Sequence, residues 1–149
     1  MKIEEEIKQD KFHSEYQKLA INILFTSNWL NSATAKILKP FSVSPQQYNV
    51  LRILKGQSPN SISVNNIMER MIDKMSNTSR LVEKLRQKEL IERVMCKKDR
   101  RQVDVKITKK GLALLEKVKT EMNGFKVLSE NLSEQEAQLI NSLLDKMRE

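Results

Sequence analysis

The stretch "LIERVMCKKDRRQVDVKIT", Leu90 to Thr108, carries apolar residues on both sides of a cationic centre. Val103, Val105 and Ile107 alternate with Asp104 and Lys106, the two-residue period of a half-buried strand. Residues 91–96 read as its partner strand, which leaves Lys97 to Gln102, "KKDRRQ", as the turn of a hairpin. That turn packs Lys97, Lys98, Arg100 and Arg101 around one carboxylate, Asp99. Like charges held so close repel, so the arrangement costs stability unless an anion comes to it. Asp99 has two readings. It can hold the guanidinium of Arg100 or Arg101 in one geometry, or serve as a turn residue bonding its own backbone.

The net charge of +8 is concentrated around this hairpin. Between Lys74 and Lys110 there are thirteen Lys or Arg and five Asp or Glu; the rest of the chain carries fourteen of each sign. A solvated surface mixes its signs, as the remainder does. A concentrated positive field is the footprint of a polyanion binder.

Upstream, the spacing predicts two short helices joined by a tight turn. Ser44, Pro45 and Gln47 form a capping box with Pro at the first helical position. Tyr48, Leu51 and Leu54 make that helix's inner face, and Gly56 is expected to end it. Ser63 caps the next helix, with Ile62 and Ile67 as a staple and Ile67, Met71 and Ile72 toward the core. A further helix is expected from Asp73–Ser76 to near Glu89, with Thr78, Leu81, Val82 and Leu85 inside. Its outer face centres on Ser76, Arg80, Glu83 and Gln87, flanked by Asn77, Ser79 and Lys84. A helix pair exposing Ser, Asn and Arg at the start of its second member is a helix-turn-helix, whose second helix enters the major groove. With the hairpin after it the unit is a winged helix, and the cationic tip can reach a neighbouring minor groove. The candidate DNA-binding residues are Asn65, Lys74, Ser76, Asn77, Ser79, Arg80, Lys84, Lys97, Lys98, Asp99, Arg100 and Arg101.

The flanks read as helices with more apolar stripe than a small winged helix can cover. Residues 3 to 38 read as one long helix with Phe12, Tyr16, Leu19 and Ile23 on its stripe, ended by Lys39-Pro40. Thr108 caps a helix carrying Leu112, Leu115, Val118, Met122 and Phe125. Ser133 and Glu136 form a capping box for a last helix carrying Ala137, Ile140, Leu143, Leu144 and Met147. Three such stripes predict a two-fold homodimer. Its candidate dimerisation residues are Phe12, Tyr16, Leu19, Ile23, Leu115, Val118, Met122, Ile140, Leu144 and Met147.

Residues 44–111 resemble the MarR family of bacterial transcriptional regulators. The wing carries Asp99-Arg100-Arg101, five residues, then Ile107-Thr108-Lys109-Lys110-Gly111, and "SRLVEKLRQKELIER" is similar to the family's recognition helix and its exit. The resemblance implies a mainly α fold with a small β-hairpin wing. It implies one domain over 1–149, with a winged helix-turn-helix at 40–111 and dimerisation helices at 1–39 and 112–149. It further implies a dimer on double-stranded DNA, typically a repressor on a pseudo-palindromic operator, with Arg101 in the minor groove. Relief by small anionic aromatic ligands or by oxidation is common in such proteins. Two departures stand out. Glu89 occupies the usual Gly at the end of the recognition helix, and no Cys lies near the start of the chain. Cys96 reads as a small strand residue more readily than as a thiol activated by Lys97 and Lys98.

Other classes are poorly served. One His, His13, has no Cys or carboxylate cluster at metal spacing, and three Gly are too few for a phosphate loop, so neither enzyme, metal nor cofactor is expected. No apolar run nears the roughly 20 residues of a membrane helix. The polar, acidic start is not that of a signal peptide, and a lone Cys96 suits a reducing cytoplasm. Trp29, on the first helix, is read either as packing or as part of a ligand pocket. The competing function is a helical interaction protein whose basic segment binds RNA or an acidic protein.

Overall fold

A computed structural model describes residues 1–95, 103–122 and 126–149, and of Met122 the backbone alone. The elements in order are helices α1 (Ile3–Ile7) and α2 (Glu15–Leu38), a 3-10 turn at Lys39–Phe41, α3 (Pro45–Gln57), strand β1 (Ile62–Ser63), α4 (Val64–Arg70), α5 (Thr78–Gln87), β2 (Ile91–Met95), β3 (Val103–Ile107), α6 (Lys109–Met122), α7 (Lys126–Asn131) and α8 (Glu134–Lys146). The fold is a winged helix: mainly helical, with a small antiparallel sheet.

The caps at Ser44, Ser63 and Ser133 form as expected. Ser44 Oγ accepts from the Gln47 amide at 3.1 Å while Gln47 Oε1 accepts from the Ser44 amide at 3.1 Å. Ser133 and Glu136 repeat the reciprocal pair, and Ser63 Oγ accepts from Asn66. The first helix differs from expectation. Lys8 turns left-handed at φ 53° and closes α1. Ser14 then starts α2, its side chain accepting from the Gln17 amide. Gln17 Oε1 reaches back to the His13 amide at 2.7 Å. This local cap overrides the apolar period that ran through it. Gly56 does not end α3, which continues to Gln57.

The core lies between the end of α2 and the middle of α6. Leu38, Val50, Leu51, Leu54, Ile67, Leu85, Val105 and Val118 are fully buried in it. The sheet has the order β1-β3-β2. β1 was not expected, because two residues are too few to show a period; it pairs Ile62 with Val105. In the hairpin, Ile91 faces Ile107, and Glu92 faces Lys106 with an ion pair at 3.0 Å. Ile72, expected inside, is 87% exposed. Helix α4 stops at Arg70 and Met71 is extended, so Ile72 leaves the helical register.

The exit from α5 resolves the problem posed by Glu89. Its φ is 61°, the left-handed conformation that favours glycine. The Leu90 amide donates to Leu85 O and the Glu89 amide to Arg86 O, the paired bonds of a Schellman cap, with Leu85 and Leu90 both buried. Thr108 Oγ1 donates to Glu89 O at 2.8 Å, tying this turn to the start of α6. Glu89→Gly should therefore stabilise the chain by roughly 1 kcal/mol, the strain of a left-handed side-chain-bearing residue. The exposed Glu89–Lys110 pair that is lost is worth little. An unchanged urea midpoint would show that the cap is not strained.

The flanking helices are sparsely covered. No residue of α7 or α8 is buried, and of α2 only Leu38 is. Tyr16, Leu19, Ile140 and Met147 are exposed, while Phe12, Ile23 and Leu144 are half-buried. Leu115 and Val118, expected at a partner interface, are buried in this chain's own core at 2% and 0% exposure, where α6 packs on α2 and α3. The Met122 side chain and Phe125 lie outside the described residues.

Candidate nucleic-acid interface

Helix α5 is set by its two faces and two caps. Thr78, Val82 and Leu85 are buried and Leu81 is half-buried, anchoring one face against α3 and α4. Asn77, not a residue before it, is the N-cap: its Oδ1 accepts from the Arg80 amide at 3.0 Å. The helix thus begins two to five residues later than the periodicity suggested. Ser76 consequently lies in the preceding turn, and its Oγ is buried without a hydrogen-bond partner among the described residues. It does not belong to the outward face.

The remaining candidates on described residues are presented to solvent. Asn65 on α4, Lys74 in the turn, and Asn77, Ser79, Arg80 and Lys84 along α5 are all exposed. Asn77 has spent its side-chain carbonyl on the cap and keeps its amide free to donate. Arg80 and Lys84, four residues apart, project from the same side of α5. Lys97, Lys98, Asp99, Arg100 and Arg101 lie outside the described residues.

Cations in this region fall into two groups. The first is matched. Arg86 donates to both carboxylate oxygens of Glu83, at 2.8 and 3.1 Å, and Arg93 reaches Glu83 at 3.0 Å. The Arg86 hydrogen bond, with the charges of Arg86 and Arg93, holds the Glu83 carboxyl below the usual carboxylate range. Lys110 does the same to Glu89 from 2.8 Å. Lys106 pairs with Glu92. Lys88 donates to Ser42 O and lies 3.4 Å from Gln47 Oε1, bracing the end of α5 on the start of α3. Glu83 was read as part of the outer face. Its spacing from Arg86, three residues on, was the signal for this pairing.

The second group has no carboxylate partner among the described residues. It comprises Lys74, Arg80 and Lys84, with Lys109 at the start of α6; Lys88 has none either, its ammonium lying on neutral oxygens. Lys74 donates to a backbone carbonyl, Glu69 O, which leaves its charge uncompensated. Three of these free charges, Lys74, Arg80 and Lys84, run from the turn along α5, apart from the cations that Glu83, Glu89 and Glu92 compensate. Such a surface binds anions held in an extended array, as phosphates are.

Two concavities add little. One, of about 610 Å³, opens between α5 and the hairpin and is lined by Arg86, Glu89, Ile91, Glu92, Arg93 and Thr108, whose charges offset one another. The other, of about 190 Å³, lies where α1 folds on α2 and includes Phe25 and Trp29. It is below the ordinary size of a ligand pocket. Its one charged side chain is Glu6. The Glu4–Lys18 ion pair at 2.5 Å holds α1 in place beside it.

Comparison with known proteins gives a consistent answer. Residues 43–103 match the model of the MarR family. None of the curated proteins matches the chain. Among solved structures, a MarR variant from Escherichia coli complexed with operator DNA superposes with a TM-score of 0.79 at 21% identity, over 93% of this chain and 99% of that one. A MarR-like transcription regulator from Bacillus cereus gives 0.78 at 21% identity, over 90% and 96%. The MepR–DNA complex of Staphylococcus aureus gives 0.73 at 21% identity, over 86% and 92%.

Proposed function

From the match of residues 43–103 to the MarR family model, we propose that the chain is a MarR-family DNA-binding transcription regulator acting as a homodimer. The family consists of transcription regulators and not of enzymes. The observation that carries the reading is the separation of charge on the helix-turn-helix. Lys74, Arg80 and Lys84 are uncompensated on the outward side while Arg86, Arg93, Lys106 and Lys110 are paired with Glu83, Glu92 and Glu89. In this reading α5 lies in the major groove and Ser79, Arg80 and the Asn77 amide face base edges. Lys74, Lys84 and Asn65 take phosphates, and Lys97 to Arg101 form the wing, with Arg101 toward a minor groove. The regulator is a cytoplasmic repressor on a pseudo-palindromic site. Response to a small anionic aromatic ligand draws no support from the cleft at Trp29, where Glu6 carries the side-chain charge.

The deciding experiment is selection from a random duplex pool by the full-length protein, followed by titration of the selected duplex. Saturable binding that weakens steeply with salt is expected. Equal or tighter binding to single-stranded RNA of the same length would favour the RNA-binding alternative.

The dimer part of the reading rests on the bare helices. Tyr16, Leu24, Leu139, Leu143 and Met147 are each more than half exposed, and they lie on α2, α8 and the end of the chain. Sedimentation equilibrium at micromolar concentration should give twice the chain mass of 17.4 kDa. A monomer would overturn it.

A further inference from the structure

Two apolar side chains stand out in the turn between α4 and α5. Ile72 is 87% exposed and Met75 is 93% exposed. The turn that carries them is pinned. The Ile72 amide donates to Asn49 Oδ1 at 2.9 Å, the Met75 amide to Asp73 Oδ1 at 3.0 Å, and the Ser76 amide to Asp73 O at 3.2 Å. A fixed backbone therefore presents both side chains to solvent. Between them lie Asp73, whose side chain accepts from the Met75 amide, and Lys74, which has no carboxylate partner among the described residues; Asn77, which opens α5, follows two residues after Met75. The apolar pair is thus continuous with the proposed DNA surface.

Phosphates and sugar edges offer an apolar side chain little. The major groove offers it one apolar group, the C5-methyl of thymine. Met suits such a contact, because its unbranched, polarisable side chain adapts to the position of the methyl. We propose that Met75, with Ile72 beside it, is a specificity residue that packs on a thymine methyl in each half-site. The proposal rests on the DNA-binding reading above and names part of what that surface would read.

The test uses the duplex selected by the wild-type protein, with each thymine replaced in turn by deoxyuridine. This keeps the base pair and removes only the methyl. Wild-type protein should lose roughly four-fold in affinity at one or two positions per half-site, the equivalent of one buried methyl group. Met75→Ala should bind the thymine and deoxyuridine duplexes alike at those positions, and Met75→Leu should restore the difference. Both positions are exposed, so circular dichroism should show the variants folded. Wild-type protein indifferent to every deoxyuridine, or Met75→Ala retaining the difference, would overturn the proposal while DNA binding stands. A pool that yields no duplex would overturn both.

Discussion

Gly111→Ala should destabilise the chain by on the order of 3 kcal/mol, the cost of forcing an atom into a closed contact. A Cβ at Gly111 would lie 2.3 Å from Leu90 O and 2.7 Å from Ile107 Cγ1. Neither neighbour is free to give way. Leu90 O accepts from the Thr108 amide at 3.1 Å, and Leu90 itself closes the cap of α5. Ile107 is in the core. Thr108 Oγ1 meanwhile accepts from the Gly111 amide at 3.1 Å, fixing the first turn of α6 over the base of the hairpin. The glycine therefore lets three elements meet at one point: the end of α5, the root of the wing and the start of α6. Gly56 is the control. A Cβ there meets nothing within 4 Å, inside helix α3. Gly56→Ala should stabilise by about 0.5–1 kcal/mol, the ordinary helical advantage of Ala. Urea midpoints at constant m-value decide both signs. If Gly111→Ala proves as stable as wild type, α6 is not clamped on the hairpin in this way.

Legibility in the sequence followed the range of the interaction. Caps with a side chain and its partner three residues apart were readable at Ser44, Ser63 and Ser133, because the whole motif is local. The same pattern at Ser14 and Gln17 is masked, since the apolar stripe continues across the break and a period carries no sign of where a cap interrupts it. The hairpin was readable from alternation, but β1 was not, because its pairing with β3 is set by a contact some forty residues away. On α5 the buried face was legible. The start was not, because Asn77 rather than an earlier residue takes the cap, which moved Ser76 off the outward side. The list of exposed cations was legible by type. Which of them are free was not, as Glu89 and Lys110 find each other only through the fold. Leu115 and Val118 show the same limit: a helical stripe says that a face is covered, and only the tertiary packing says by what.

Replacing Lys74, Arg80 and Lys84 together with Ala should have the largest effect on DNA binding. A dimer would lose six cations on the proposed contact surface. Each phosphate contact contributes about 0.9 to the slope of log affinity against log salt, so the slope should flatten by roughly five if each cation meets one phosphate. Affinity near physiological salt should fall by several orders of magnitude. The matching control is Arg86, Lys106 and Lys110 changed together to Ala. It removes the same formal charge, but from cations that already lie on Glu83, Glu92 and Glu89. A phosphate gains little from a cation compensated in place, and at 0.1 M salt a charge much beyond about 10 Å is screened. The control should thus change the slope by far less than the first triple. Equal flattening by the two triples would mean that net charge alone governs binding and that α5 is not the contact surface. Arg80→Lys then separates reading from attraction. Lys keeps the charge but lacks the planar fork that holds guanine O6 and N7. The salt slope should persist while preference at one base pair relaxes by about 1–3 kcal/mol. If the preference survives intact, Arg80 is a phosphate ligand, and base reading falls to Ser79 and the Asn77 amide.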